Sequence, residues 1–469
     1  MVNCWSWYVA AICIFLRFGL CESFIPNSSW ENIEYQKLVD VKHAYINEAF
    51  LITIKNIASE PQSEYFLALT EEIFEKISLF EVQLANKNVY VNASLYQSKC
   101  LLDDGSVVGY GLISLPSPIE PGKQVSLTIK LSHTAHGLPH PEHILLKDAQ
   151  NLRFKTARLP FSAYYTRKAN LQLLGSSKFT ELSAPNDQSL RGTQRDDSYE
   201  FQSWDDIPPF ETKNQLDVIY VHDLPLIEVL KLKRDVWVSH WASTLQFEEY
   251  YELINRSAKL KNGFSRLELM QDQKNMRLSH YCSVLEMNLP EESSEHYYTD
   301  LVGMVSTSRV LGDNLYIKPR YPLFGEWKYN FTVGWTNKLS TFLRQSSKES
   351  FILVVPLLNG PTDAFYGKSE ISVFLPEGSV LQALDSSVPM KSAEVHTQKS
   401  YLDLNKGHIK VTCEFDNMID ANRDGQIVVK YSYPSQAAYK KPLSVACYIF
   451  AALMSFFLLK SVNLNLDKK

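Results

Sequence analysis

Apolar and polar residues alternate along most of this chain in short runs bounded by Gly, Pro, Asn and Asp, the pattern of half-buried β-strands. Phe50-Leu51-Ile52-Thr53-Ile54, Val125-Ser126-Leu127-Thr128-Ile129, Val218-Ile219-Tyr220-Val221, Ile371-Ser372-Val373-Phe374 and Ile427-Val428-Val429-Lys430-Tyr431 all read as strands. Turn signals such as Pro121-Gly122-Lys123 and Asp424-Gly425 precede several of them,. Spacing of this kind predicts β-sandwiches. One helix is predicted over 265–278, where Leu267, Met270, Lys274 and Arg277 recur at helical spacing and Ser265 can cap the first turn,.

Two uniformly apolar runs break the alternation. Leu443 to Leu459 carries no charge between Lys440-Lys441-Pro442 and Lys460. Extended through Ser461-Val462 it reaches the roughly 20 residues that an α-helix needs to cross a ~30 Å hydrocarbon core. This predicts a transmembrane helix over 442–462. At the other end, Val9 to Leu16 forms an apolar core, and Gly19 and Cys21 place small residues at the −3 and −1 positions of a cleavage site. A cleaved signal peptide over 1–22 is therefore expected, although its leading segment carries no Lys or Arg,. Lys440 and Lys441 precede the anchor while Lys460, Lys468 and Lys469 follow it, a difference too small to set orientation by charge. Orientation follows from the signal instead, with the tail 463–469 in the cytosol and the bulk of the chain in the lumen.

Between these ends lie roughly 420 residues, enough for two domains. The polar, turn-rich stretch 183–206 reads as a long loop, so the expected domains are 23–225 and 226–441. An internal echo supports the division. Ile52-Thr53-Ile54-Lys55-Asn56-Ile57-Ala58 and Tyr251-Glu252-Leu253-Ile254-Asn255-Arg256-Ser257 each close a strand-like run with an apolar residue two before an Asn,. Aromatic residues make up 12% of the chain and Gly only 18 of 469, which suits packed β modules rather than a disordered stalk. A net charge of −5 without clustered Lys and Arg excludes a nucleic-acid surface,. Outside the signal and the anchor, the cysteines are Cys100, Cys282 and Cys413. They allow one disulfide at most, so the core must supply the stability.

The strongest metal candidate is the run His133, His136, His140 and His143. Gly137, Pro139 and Pro141 forbid a regular helix there, and no carboxylate stands at HExxH spacing, so loop histidines are the simpler expectation,. The pairs Asp103-Asp104, Asp196-Asp197 and Asp205-Asp206 lie beside Gly, Ser or Pro and read as turns,. No GxSxG, Walker-type or GxGxxG string occurs, so no catalytic, cofactor-binding or metal residue is assigned. The aromatic stretch from Tyr321 to Trp335 offers contact area for a partner or glycan, yet Tyr329, Phe331 and Val333 share one face of a half-buried strand,. Trp237, His240 and Trp241 carry the same ambiguity. Sequons at Asn27, Asn92, Asn255 and Asn330 are the N-glycosylation candidates,.

Several long strings are similar to the ribophorin I family, the α subunit of the eukaryotic oligosaccharyltransferase complex, in its fungal form. They are ITIKNIASEP at Ile52 to Pro61, HWASTLQFEEYYEL at His240 to Leu253, GFSRLELM at Gly263 to Met270, NFTVGWTNKLS at Asn330 to Ser340, QKSYLDLNKGH at Gln398 to His408 and KPLSVACYIFAALM at Lys441 to Met454. The resemblance implies a mainly β protein with two tandem luminal β-sandwich-like domains and one C-terminal transmembrane helix. It further implies a non-catalytic subunit, without cofactor, of the endoplasmic-reticulum enzyme that moves a preassembled oligosaccharide from dolichyl diphosphate to Asn in N-x-S/T sequons. Its partners would be the other subunits, including the polytopic catalytic one, the membrane, and nascent polypeptide. Competing readings are a freestanding luminal chaperone that binds glycans or clients through aromatic surfaces, and a metal-dependent luminal hydrolase built on the histidine loop.

Overall fold

The computed structural model describes residues 24–85, 89–101, 107–182, 190–212, 214–274, 279–399 and 407–461. The expected signal peptide, the tail 463–469 and Asp103-Asp104 lie outside them. The chain forms two compact units, Met1–Asp223 with Leu260–Ser279, and Leu224–Lys259 with His280–Lys469. The excursion Leu260–Ser279 thus belongs with the first unit, where a contiguous division at 226 had placed it in the second. A backbone bond anchors it there, Lys261 N–H donating to the Ile144 carbonyl at 2.9 Å.

All five strand segments read from the alternation are strands. In the first unit the central sheet contains β1 (Trp30–Asp40), β2 (Ile46–Asn56), β3 (Ile77–Leu84), β4 (Gln124–His133) and β5 (Thr166–Leu174). They lie in the order β5-β1-β2-β4-β3, with β1 and β5 parallel and the other pairs antiparallel. The second unit builds the same sheet from β6 (Ile227–Ser239), β7 (Thr244–Asn255), β8 (Ser294–Asp300), β9 (Lys328–Lys338) and β10 (Ala364–Phe374). Its order is β10-β6-β7-β9-β8, with β6 and β10 parallel. Even the irregularities coincide. A register shift interrupts β1/β2 between Asn32 and Glu34 and β6/β7 between Val229 and Lys231, in each case two residues before the Asn of the echo,.

That Asn is the reason the echo exists. Asn56 and Asn255 are fully buried at the ends of β2 and β7. Asn56 Nδ2 donates to the carbonyls of Glu60 and Ile119, and Oδ1 accepts from Ala58 N–H. Asn255 Nδ2 donates to the carbonyls of His280 and Leu323, and Oδ1 accepts from Ser257 and Leu226 N–H. The main chain repeats too. Asn56 N–H donates to Lys123 O and its carbonyl accepts from Gly122 N–H, while Asn255 N–H donates to Trp327 O and its carbonyl accepts from Glu326 N–H. Gly122 and Glu326 both adopt positive φ, 78° and 65°, to aim those amides,. Each Asn therefore ties the end of one strand to the turn that starts the next but one.

Packing follows the alternation. On β9, Tyr329, Phe331, Val333 and Trp335 are all buried, so this part of the aromatic stretch is core, while Tyr321 before it is exposed and Trp327 half-buried. They share a core with Leu353 and Val355 of the facing strand Ser350–Pro356 and with Ile427, Val429 and Tyr431 of Gln426–Ser432. The second unit is thus a sandwich.

The predicted helix is present as α1 (Arg266–Lys274), capped by Ser265 Oγ accepting from Glu268 N–H at 3.4 Å, and positions 275–278 lie outside the described residues,. Its buried positions are Leu269 and Asp272, while Leu267 and Met270 are exposed. The narrow stripe of Leu267 and Met270 thus faces outward on a surface helix, because a short helix with few apolar residues takes its orientation from its neighbours,. The C-terminal helix α2 spans Ser435–Ser461 and begins seven residues before the expected 442. Pro442 lies inside it, so this residue does not mark the helix start that the apolar run suggested,.

Replacing Asn56 or Asn255 by Ala leaves buried carbonyls and amides unpaired, and each change should destabilise its own unit by about 3 kcal/mol. Chemical denaturation of the two variants, against an exposed Lys348→Ala control, checks this; equal midpoints for all three would rule the locks out as stabilising elements.

Candidate functional site

Lys37 and Arg234 occupy the same position in the two units when counted from the locking Asn. Lys37 pairs across the sheet with Phe50, and Arg234 with Glu249. Each meets a carboxylate and an aromatic ring on the partner strand, with the two exchanged by two residues, Glu48 and Phe50 on β2 against Phe247 and Glu249 on β7. Lys37 Nζ lies 2.8 Å from Glu48 and 5.6 Å from the Phe50 ring centre. Arg234 lies 2.9 Å from Glu249 and 5.0 Å from the Phe247 ring centre. Alternation puts all of these on the inward face.

The surroundings then diverge. Arg234 and Glu249 are sealed, with Arg234 Nη2 donating to Asn359 at 2.6 Å and Tyr251 Oη donating to Glu249 at 2.6 Å. Burial pushes the Glu249 carboxyl up and the Arg234 guanidinium down, each opposed by the charge of the other,. In the first unit the pair forms the floor of a cavity of about 540 Å³, walled by Tyr35, Phe50, Phe154 and Phe161. Lys37 Nζ reaches across to Thr156 Oγ1 at 3.2 Å, and His133 Nε2 stands 3.8 Å from Glu48. Burial alone would raise the Glu48 carboxyl, but Lys37 and His133 outweigh it and hold it at about 2. A carboxylate so acidic and already paired is a poor proton donor or base near neutral pH. At the cavity mouth Arg153 is consumed by a two-point bond to Asp217, at 2.9 and 2.5 Å,. The site offers an aromatic recess with a charge-balanced polar floor, suited to holding an apolar group with a polar end.

The histidine run is scattered. His133 ends β4 beside Glu48, His136 Nδ1 contacts Thr134 O at 3.2 Å, His140 N–H donates to Asn151 O, and His143 is exposed. Among the described residues no three His, Cys, Asp or Glu side chains converge in a way that could hold a metal. Asp196 adopts positive φ, 43°, in a turn, as expected, whereas Asp205 and Asp206 lie in the short strand Trp204–Ile207 with Asp206 at φ 55°, so that pair is not the turn its neighbours suggested. Cys282 and Cys413 are buried free thiols, pushed up by burial to about 12 and about 11, so neither is reactive. Asn27 and Asn92 are exposed, and Asn330 is half-buried with Nδ2 3.4 Å from Tyr250 Oη. Asn255 is enclosed with its amide fully engaged, so a glycan on Nδ2 is incompatible with this packing. Alternation in the sequence could have flagged Lys37 and Glu48 as inward charges; their convergence with His133 depends on sheet register.

Fold and site together define a mainly β protein with a repeated sheet order and, among the described residues, one helix long and apolar enough to cross a membrane. The family model described as Ribophorin I matches residues 30–460, and the chain belongs to that family. Relatives include "Dolichyl-diphosphooligosaccharide--protein glycosyltransferase subunit 1" of Caenorhabditis elegans, 25% identical over 93% of this chain and 73% of that protein. Subunit 1A of the same enzyme from Arabidopsis thaliana is 26% identical over 92% of this chain and 70% of that protein. A nutrient-binding protein from Legionella pneumophila aligns with 42% of this chain and 68% of its own at 11% identity, with a TM-score of 0.26 that carries no weight.

Glu48 has a folded pKa near 2, below the ~4.3 of an unfolded Glu. Its contribution to stability is therefore complete above about pH 5 and is lost as pH falls toward 2. Hydrogen exchange on β1 and β2 should show protection falling over that window, and Glu48→Gln should flatten the fall while lowering protection at pH 7; an unchanged acid profile would exclude the pair as its source.

Proposed function

We propose that this chain is a non-catalytic subunit of the oligosaccharyltransferase of the endoplasmic reticulum, which transfers a preassembled oligosaccharide from dolichyl diphosphate to Asn of N-x-S/T sequons. The observation that carries the reading is kinship over residues 30–460 with proteins named as subunit 1 of that glycosyltransferase. A non-catalytic role is supported by how the buried acids are used. Glu48, Glu249 and Glu181 are each tied to a cation of their own unit, Lys37, Arg234 and Arg158. The chain is a single-pass type I protein, with both β units luminal and α2 in the membrane. It works by binding the other subunits, the polytopic catalytic one among them, and the aromatic recess of the first unit meets nascent polypeptide.

Purification from microsomes in digitonin through a C-terminal tag should bring down sequon-peptide glycosylation together with a polytopic subunit. Ala451→Asp, which places a charge at mid-helix at a cost of about 3 kcal/mol of insertion, should deplete both. A lone, inactive protein would overturn the subunit reading.

Of the sequons, the exposed Asn27 and Asn92 are the acceptors we assign, and Asn255 is a structural residue. Enzymatic deglycosylation in water enriched in heavy oxygen, followed by peptide mapping, should convert Asn27 and Asn92 to oxygen-labelled Asp and leave Asn255 unlabelled. Label at Asn255 in folded protein would refute the assignment.

A further inference from the structure

We propose that the turn joining β6 to β7 is a membrane foot, with Trp241 seated in the lipid headgroup layer beside the start of α2. The inference rests on reading α2 as a membrane helix. Trp241 is 84% exposed, although large aromatic side chains are elsewhere mostly core in this unit. Its turn is ordered, with Ser239 Oγ accepting from Ala242 N–H at 3.1 Å and Ser243 O accepting from Leu339 N–H at 3.0 Å. The indole is therefore presented rather than left loose.

The turn lies at the end of the sandwich from which α2 leaves. His240, next to Trp241, is 2.7 Å from Tyr431 Oη, and its ring is 4.7 Å from that of Tyr433. Only Pro434 separates Tyr433 from α2. The exit is held, not hinged. Tyr433 N–H donates to Glu349 O at 2.8 Å, and Ala437 is buried against Gly378, where an added Cβ would stand 3.0 Å from the Ala437 methyl.

Length then sets the height. From Ala437, buried on the unit, to Leu443, where the apolar run begins, the helix rises about 9 Å. The headgroup layer on one side of a bilayer is roughly 6 Å deep. The end of the second unit therefore stands a few ångströms above the headgroups, a gap that a fully projecting indole spans. Tyr439, 73% exposed on α2, lies at the same level. Trp and Tyr favour this boundary because an apolar ring with a polar edge is satisfied there on both counts. Two fixed points, the helix and the foot, would hold the second unit at one tilt against the membrane.

The test uses the full chain reconstituted in phosphatidylcholine vesicles containing either shallow or deep brominated acyl chains. Wild-type tryptophan fluorescence should be quenched more by shallow than by deep bromine, and Trp241→Phe should lose at least half of the shallow quenching. Equal quenching of the two proteins would overturn the foot. Flotation after alkaline extraction separates the two readings, since a protein that fails to float has no membrane helix and the foot falls with it. A protein that floats without quenching at Trp241 refutes the foot alone.

Discussion

A buried asparagine amide at the end of a strand has more hydrogen-bonding capacity than the strand can satisfy, and each unit of this protein is arranged around that surplus. Asn56 and Asn255 spend it on backbone groups of segments remote in sequence, such as Ile119 and Leu323. Leaving such groups unpaired in a dry core is costly, so register, the strand-to-strand turn and the positive φ of Gly122 and Glu326 are set together. The two sheets share their strand order and the position of their register shifts, each shift lying two residues before its Asn.

On the shared frame the two units have used the same charges differently. An inward cation on the first strand needs an anion, and both units supply a Glu from the second strand, at positions two residues apart. In the second unit Tyr251 and Asn359 complete the shell, and the ion pair is sealed. In the first, Glu48 relies on Lys37 and His133, and a recess remains open above them. The two units thus share the backbone lock, while the interior around the pair is sealed in one and opens to a recess in the other. Such divergence is expected, since interior volume and pairing can change without altering strand order.

The second unit also carries the helix long and apolar enough to cross a membrane. Its strand Gln426–Ser432 runs almost directly into α2, and the contacts of Tyr433 and Ala437 make that junction part of the sandwich. A rigid exit fixes the nearby sheet ends relative to α2, which a flexible linker would not allow.

Period-two alternation determined the strands, because inward and outward faces differ in hydrophobicity whatever the partner strand. The apolar run at 443–459 determined the long helix in the same direct way, and the Asn echo pointed to two related domains. Tertiary structure decided what alternation cannot encode. Which face of α1 is buried, the return of Leu260–Ser279 to the first unit, and the enclosure of a sequon at Asn255 all depend on neighbours distant in the chain. So does the meeting of Lys37, Glu48 and His133. A polar residue's role in a β fold is set by which backbone groups and charges the sheet register places against it, and that register is a property of the assembled sheet.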